Sequence, residues 1–268
     1  CANFFTLSEN RRRIKKEKNP KIFNKKNSNF IIKNLPFTLT ESQEKVLNEI
    51  NSDLASKKRM FRIVQGDVGS GKTIVSLLVI SNAIESGYQC ALMGPTEILA
   101  RQHYKLFKKI CKGTNFKIDF LTGKTENKVR REILKNLKNG KTNLLIGTHA
   151  LFQKKIIFKK LGLVVIDEQH KFGVKQRLEF AKKGGENCDV LLMSATPIPR
   201  TMMMSLYGDM DISKIIEKPA KRKKIITLSK PESKINELWT FIKKQIDNKN
   251  QIFWVCPLIE ESTFLDYS

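Results

Sequence analysis

No apolar run in this 268-residue sequence approaches the roughly 18–20 residues that span a bilayer; the longest candidate, Ile74–Ile84, is broken by Ser76, Ser81 and Asn82. A membrane span is not expected. Thiols and imidazoles are sparse as well. The five cysteines (Cys1, Cys90, Cys111, Cys188, Cys256) make no Cys-x-x-Cys pair, and the three histidines (His103, His149, His170) are scattered without metal-ligand spacing. That pattern implies a reducing cytoplasm and no zinc. Acidic residues are also few: 26 Asp+Glu face 50 Lys+Arg, a net +24 with a pI near 9.9. The imbalance favours a polyanionic partner such as nucleic acid over an acidic small molecule. A plain solvated lysine surface is the alternative, since the cations divide into 39 Lys and 11 Arg, as AT-rich codons leave them. The opening Cys1-Ala2-Asn3-Phe4-Phe5 has no initiator Met and no basic stretch leading into a long apolar one. A signal peptide is therefore not expected, and the sequence reads as a piece of a longer chain.

What is present is a globular composition, 40% hydrophobic, whose pattern changes along the chain. From Arg11 to Lys33 ten basic residues accompany a single acidic one, Glu17, with Asn24, Asn27, Ser28 and Asn29 interrupting any apolar period. A helix tail plus linker is expected there. After Pro36, short β-branched apolar runs alternate with amphipathic stretches of helical length, the signature of an α/β domain on a parallel sheet. The expected strands are Phe61–Gln65, Gln89–Met93, Ile118–Leu121, Asn143–Ile146, Leu163–Ile166 and Val190–Ser194, with helices such as Glu97–Ile110 and Glu126–Leu137 between them. Beyond Pro219 a shorter series, strand Ile225–Leu228, helix Glu232–Ile246 and strand Ile252–Cys256, reads as the opening of another α/β unit.

Several strands end where a chemical motif begins, the edge at which parallel sheets bind ligands. Gly66-Asp67-Val68-Gly69-Ser70-Gly71-Lys72-Thr73 fits the phosphate-loop pattern between a strand and an apolar helix. Its glycines let backbone amides close around phosphates, Lys72 brings a charge to the β and γ groups, and the Thr73 hydroxyl suits Mg²⁺. Leu163–Ile166 delivers Asp167 and Glu168, the Walker B arrangement, with Asp167 expected to hold Mg²⁺ and Glu168 to orient or deprotonate the attacking water. Gln169 and His170 complete an Asp-Glu-x-His signature. Ser194-Ala195-Thr196 follows the next strand, which narrows the reading to a helicase-type motor in which His170 links nucleotide to the Ser194/Thr196 turn.

Upstream, Phe37-Thr38-Leu39-Thr40-Glu41-Ser42-Gln43 is similar to the glutamine motif of superfamily 2 helicases, whose carboxamide reads the adenine edge. A capping box from Thr40 to Gln43 explains the same residues, and both can hold together. Phe37 either stacks on the base or plugs the core. Two more strand-end segments suit nucleic-acid phosphates: Gly94 to His103, with Pro95, Thr96 and Arg101, and Ile146 to Leu151, with Thr148 and His149. Helix capping by Thr96 and Thr148 is the alternative. Gly123, after Leu121-Thr122, belongs to the same edge.

Assembled, these motifs resemble the RecG family of superfamily 2 DNA helicases. The resemblance rests on Gln65 to Thr73, Pro95 to His103, Asp167 to Val174, Ala195 to Thr201 and Trp254 to Ser262, and covers nearly everything from Leu35 to Ser262. The transcription-repair coupling factor is the nearest alternative, but it usually has Phe in place of Ser70 and Asp-Glu-Glu-His at Walker B, so Gln169 and Thr96-Glu97 favour RecG. The resemblance implies a RecA-like lobe, a parallel sheet flanked by helices, that uses ATP and Mg²⁺ to move on double-stranded or branched DNA in recombination and repair. It also implies partners within its own chain, a wedge domain and a second motor lobe. On this reading residues 1–34 are a basic tail of a preceding domain, 35–218 the ATP-binding lobe and 219–268 the start of the second lobe. A module that holds nucleotide or DNA without turnover is the competing class.

Overall fold

A computed structural model of the chain describes residues 17–153, 155–167, 185–196, 210–217 and 226–255. The chain divides into two compact units, Cys1–Arg222 and Lys223–Ser268. The described residues of the first include seven strands: β1 (Phe61–Gly66), β2 (Gln89–Met93), β3 (Ile118–Leu121), β4 (Leu144–Gly147), β5 (Leu161–Ile166), β6 (Asp189–Ser194) and β7 (Asp211–Ile215). They form one sheet in the order β3-β4-β2-β5-β6-β1-β7, and every pairing is parallel. Its α-helices among the described residues are α1 (Lys26–Lys33), α2 (Glu41–Ala55), α3 (Lys72–Glu85), α4 (Glu97–Ile110) and α5 (Asn127–Lys138).

Strands β2, β4, β5 and β6 are buried at every residue, which is why they read as unbroken apolar runs and not as alternating ones. Two apolar clusters cover the two faces of the sheet. One joins α2 and α3 to Val64, Leu92 and Val165; the other joins α5 to Ile63, Leu145 and Val164. Helix α3 is buried continuously from Ile74 to Ile84, so its apolar residues surround it. Six strands lie within two residues of their expected places. The seventh, β7, was not anticipated: Asp-Ile-Ser-Lys-Ile alternates over only five residues, with charges facing out, as suits an edge strand.

The segment expected as a linker is, from Glu17 onward, part of the lobe. Lys18 and Lys21 are buried, and Ile31 of α1 is fully buried in the cluster that holds α2 and α3. The polar interruptions that broke the apolar period proved compatible with a two-turn helix needing only one deep anchor. Ile31→Ala is expected to lower the unfolding free energy by about 2–5 kcal/mol in urea denaturation. A true linker would show almost no change.

The described thiols Cys90, Cys111 and Cys188 are buried and free. Burial pushes Cys111 up to about 11 and Cys188 up to about 12, and Cys90 also upward, so none is a reactive thiolate near neutral pH. Among the described residues no helix is long and apolar enough to cross a membrane.

The second unit contributes one α-helix among its described residues, α6 (Ile235–Asp247). Ile226–Leu228 and Ile252–Val255, expected as parts of flanking strands, are not strands; Ile226 is 82% and Phe253 86% exposed. A strand requires a neighbour for its backbone amides and carbonyls, and no ladder forms among the described residues of this unit. Trp254 instead stacks on Trp239 of α6 at 5.1 Å.

Candidate functional site

Strand β1 lies between β6 and β7, and its carboxyl end runs through Gly66–Gly71 into α3. Gly69 and Gly71 adopt φ of 78° and 92°, the left-handed region that favours glycine. A Cβ on Gly71 would also collide with the Gln43 amide nitrogen. Gly71, the N-cap of α3, contributes no side-chain cap at the positive end of the helix dipole. Lys72 Nζ folds back onto its own loop, donating to Gly66 O at 2.5 Å and Asp67 O at 3.0 Å. Ser70 Oγ is buried in the loop with no hydrogen-bond partner among the described residues. Asp67, Val68 and Gly69 are exposed, and Thr73 stands half-buried beside Lys72.

Gln43 is buried, with both ends of its carboxamide hydrogen-bonded. Its Oε1 accepts from Thr40 N at 3.0 Å, closing the capping box, and its Nε2 donates to Ser70 O at 2.7 Å. The capping box is formed, and the carboxamide also ties the start of α2 to the glycine loop. Phe37 is 43% exposed, so it does not plug the core. The start of α2 is also tied to the end of β7, where Ser42 N donates to Glu217 Oε2 at 3.2 Å. That bond holds the Glu217 carboxyl below its ordinary value. A depressed carboxylate stabilises the fold above the unfolded value near 4.5 and loses that contribution as pH falls through the lower folded value. The Ser42 amide resonance should therefore titrate below pH 4.5.

Two strands from β1 in the sheet, β5 is followed directly by Asp167, and Ser194 ends β6 between them. Ser194 Oγ and Thr196 Oγ1 lie 3.1 Å apart in a tight turn. The Asp167 carboxylate accepts from His103 Nε2 of α4 at 2.7 Å, in a buried contact. Sequence reasoning missed this pair. The available signal was the inward stripe of α4, Ala100, His103 and Phe107, all buried. Glu168, Gln169 and His170 lie outside the described residues. Among the described residues no three His, Cys, Asp or Glu converge on a closed metal cage. One carboxylate and one hydroxyl beside a phosphate loop instead suit Mg²⁺, which takes few protein ligands plus phosphate oxygens and water.

The remaining expected residues line the other half of the same edge, after β2, β4 and β3. Thr96 caps α4, accepting from Leu99 N at 3.3 Å, and is exposed. Pro95 is half-buried beside it. Arg101 is exposed, paired with Glu97 at 2.9 Å and lying over the Phe120 ring at 4.9 Å. Gly123 and His149 are exposed, but Thr148 is buried at 5% exposure and makes no side-chain cap, so its hydroxyl is poorly placed for an outside phosphate. Its position directly behind the buried end of β4 explains this. The Gly94 amide donates to Gly147 O at 2.9 Å, so the loops after β2 and β4 are adjoining.

A parallel sheet whose first strand enters a glycine loop and a helix start, with an aspartate at the tip of a strand two places away, defines a P-loop domain of RecA-like fold. Within that class the chain belongs to the DEAD/DEAH box helicase family, whose profile matches residues 40–205. Similar curated proteins include the ATP-dependent DNA helicase RecG of Aquifex aeolicus, 47% identical over 94% of this chain and 32% of the relative, and RecG of Bacillus subtilis, 47% identical over 88% and 34%. The chain thus spans about a third of the length of the curated relatives it matches. A solved structure of RecG bound to a three-way DNA junction superposes with a TM-score of 0.83 at 40% identity, covering 95% of this chain and 34% of the other. The DEAD-box helicase Mss116 bound to ssRNA shares the fold, at a TM-score of 0.60 and 20% identity over 84% of this chain and 51% of the other.

Proposed function

We propose that this chain is the ATP-binding lobe of a RecG-type DNA helicase, one that couples ATP hydrolysis to movement on branched or duplex DNA. The observation that carries the reading is the division of one sheet edge. The ends of β1, β6 and β5 gather the glycine loop, Ser194 and Asp167, while the ends of β2, β4 and β3 expose Thr96, Arg101, His149 and Gly123. Nucleotide chemistry and DNA contact then sit on neighbouring strands.

In this reading Lys72 leaves the Gly66 and Asp67 carbonyls for the β- and γ-phosphates, and the amides at the start of α3 share that load. Thr73 and Asp167 would hold Mg²⁺, which supplies charge neutralisation between the phosphates. Glu168 accepts the proton of the attacking water, and Gln169 and His170 relay nucleotide state to the Ser194/Thr196 turn. Phe37 offers an exposed ring for the base, with Gln43 exchanging its loop contact for the adenine edge. The wedge domain and second motor lobe belong to the remainder of the chain, and the reading places the protein in the cytoplasm in recombination and repair.

Binding to duplex or forked DNA should weaken steeply with salt and show little sequence preference, because the proposed contacts go to phosphates. Arg101→Ala should reduce the slope of log K against log salt by about one. Fluorescence anisotropy across a salt series measures both. Salt-insensitive binding, or strong preference for one sequence, overturns the DNA assignment. Glu168→Gln should keep Mg²⁺-dependent nucleotide binding; equal loss of affinity in Glu168→Gln and Lys72→Ala would overturn the division of roles.

A further inference from the structure

The bond between His103 and Asp167 crosses from one half of the sheet edge to the other. His103 sits on α4, seven residues after the Thr96 cap, about 10 Å along the axis at 1.5 Å per residue. Asp167 sits at the tip of β5, where its amide donates to Met93 O at the end of β2, the strand that leads into α4. The two side chains therefore bridge elements already joined through the backbone.

Helix α4 is also seated without slack. A Cβ on Gly94 would come within 2.9 Å of Ala100 N, and both Ala100 and Phe107 are fully buried. The Phe107 ring lies edge-on to the imidazole, with centroids 6.1 Å apart. A shift of α4 has little room to be absorbed by repacking, because close-packed interiors transmit displacement. The imidazole has one chemically sensible role toward an ionised carboxylate: Nε2 carries the proton and donates it.

We propose that His103 is a positioning residue that orients the Asp167 carboxylate and makes the seating of α4 on DNA felt at the metal-holding end of β5. The proposal rests on the nucleotide and DNA reading above and adds to it the path by which the two halves of the edge communicate. The bond engages one carboxylate oxygen and fixes the rotation of the group. Removal of such an orienting partner typically weakens metal affinity by roughly 10- to 100-fold.

The test compares His103→Gln, which keeps an N–H donor, with His103→Met, which has similar length and none. His103→Ala replaces the second variant should methionine not pack. Binding of a fluorescent ATP analogue to the whole chain is measured with Mg²⁺ and with EDTA, each with and without duplex DNA. The expected result is that the enhancement of affinity by Mg²⁺ falls by roughly tenfold or more in His103→Met, with EDTA affinity nearly unchanged. His103→Gln should regain most of it. DNA should alter Mg²⁺·nucleotide affinity at least about fivefold in the unmutated chain, and this coupling should shrink in His103→Met.

Full Mg²⁺ enhancement in His103→Met overturns the proposal, as does an equal loss with Mg²⁺ and with EDTA, which marks a merely structural residue. Coupling to DNA that is absent, or unaltered by His103→Met, overturns the link to α4. An unmutated chain with no Mg²⁺-dependent nucleotide binding overturns the parent reading, and the proposal falls with it for that distinct reason.

Discussion

Lys72→Ala is expected to reduce nucleotide affinity by roughly 10- to 100-fold, the effect of losing a charge-assisted contact of about 1.5–3 kcal/mol. Hydrolysis by any longer form that includes this lobe should disappear, because the same charge acts on the phosphates as negative charge develops in transfer. The fold should survive. The lysine's bonds to Gly66 O and Asp67 O lie within one loop, whereas α3 is held by its buried residues from Ile74 to Ile84. Binding of a fluorescent nucleotide, beside a thermal melt, checks both statements. Unchanged affinity would reject the phosphate-loop assignment, and a collapsed melt would mean that Lys72 supports the lobe itself.

The second large effect is expected at the opposite end of the sheet. Asp189, the first residue of β6, is fully buried and receives Lys18 Nζ and Lys21 Nζ on one oxygen, both at 2.6 Å, while Met60 N donates to the other at 2.7 Å. Lys18 also donates to Asp53 O and Leu54 O, and Lys21 to Asn187 O. Asp189→Ala leaves two buried ammonium groups without their counter-charge and should cost about 3–5 kcal/mol in urea denaturation. Burial already holds Lys18 below its ordinary value, with Asp189 pulling the other way. The triple variant Lys18→Met, Lys21→Met, Asp189→Leu should recover much of the loss, since replacing a whole buried ion cluster by apolar groups is cheaper than orphaning its members. A loss below about 1 kcal/mol in Asp189→Ala would show that water reaches the cluster.

These results bear on how the chain is divided. The basic stretch before α1 resembles a solvated linker when its charge is counted, yet two of its lysines close the floor of the sheet. Charge density alone does not distinguish a cation in water from a cation seated on a buried carboxylate 171 or 168 residues away. The same limit hid the partner of Asp167. His103 stands 64 residues earlier and carried no metal-ligand spacing, but the inward stripe of α4 brings it to the tip of β5.

Much of the rest was written in consecutive residues. The glycine loop was legible because its conformation and its chemistry come from the same stretch, Gly66 to Thr73. The central strands were legible because burial on both faces leaves an uninterrupted apolar run. Edge strand β7, with one half-charged face, left no comparable mark, and the apolar runs around Ile226 and Phe253 left a mark without becoming strands. The sequence by itself thus determined the glycine loop between strand and helix, the α/β class and the strand ends at which the motif residues lie, since each follows from local backbone freedom and hydrophobic period. The tertiary structure alone decided that Gln43 binds the loop, that Thr148 is withdrawn from the surface, and that His103 and the two buried lysines meet their aspartates, because those pairings depend on strand order and helix seating that no neighbouring residues encode.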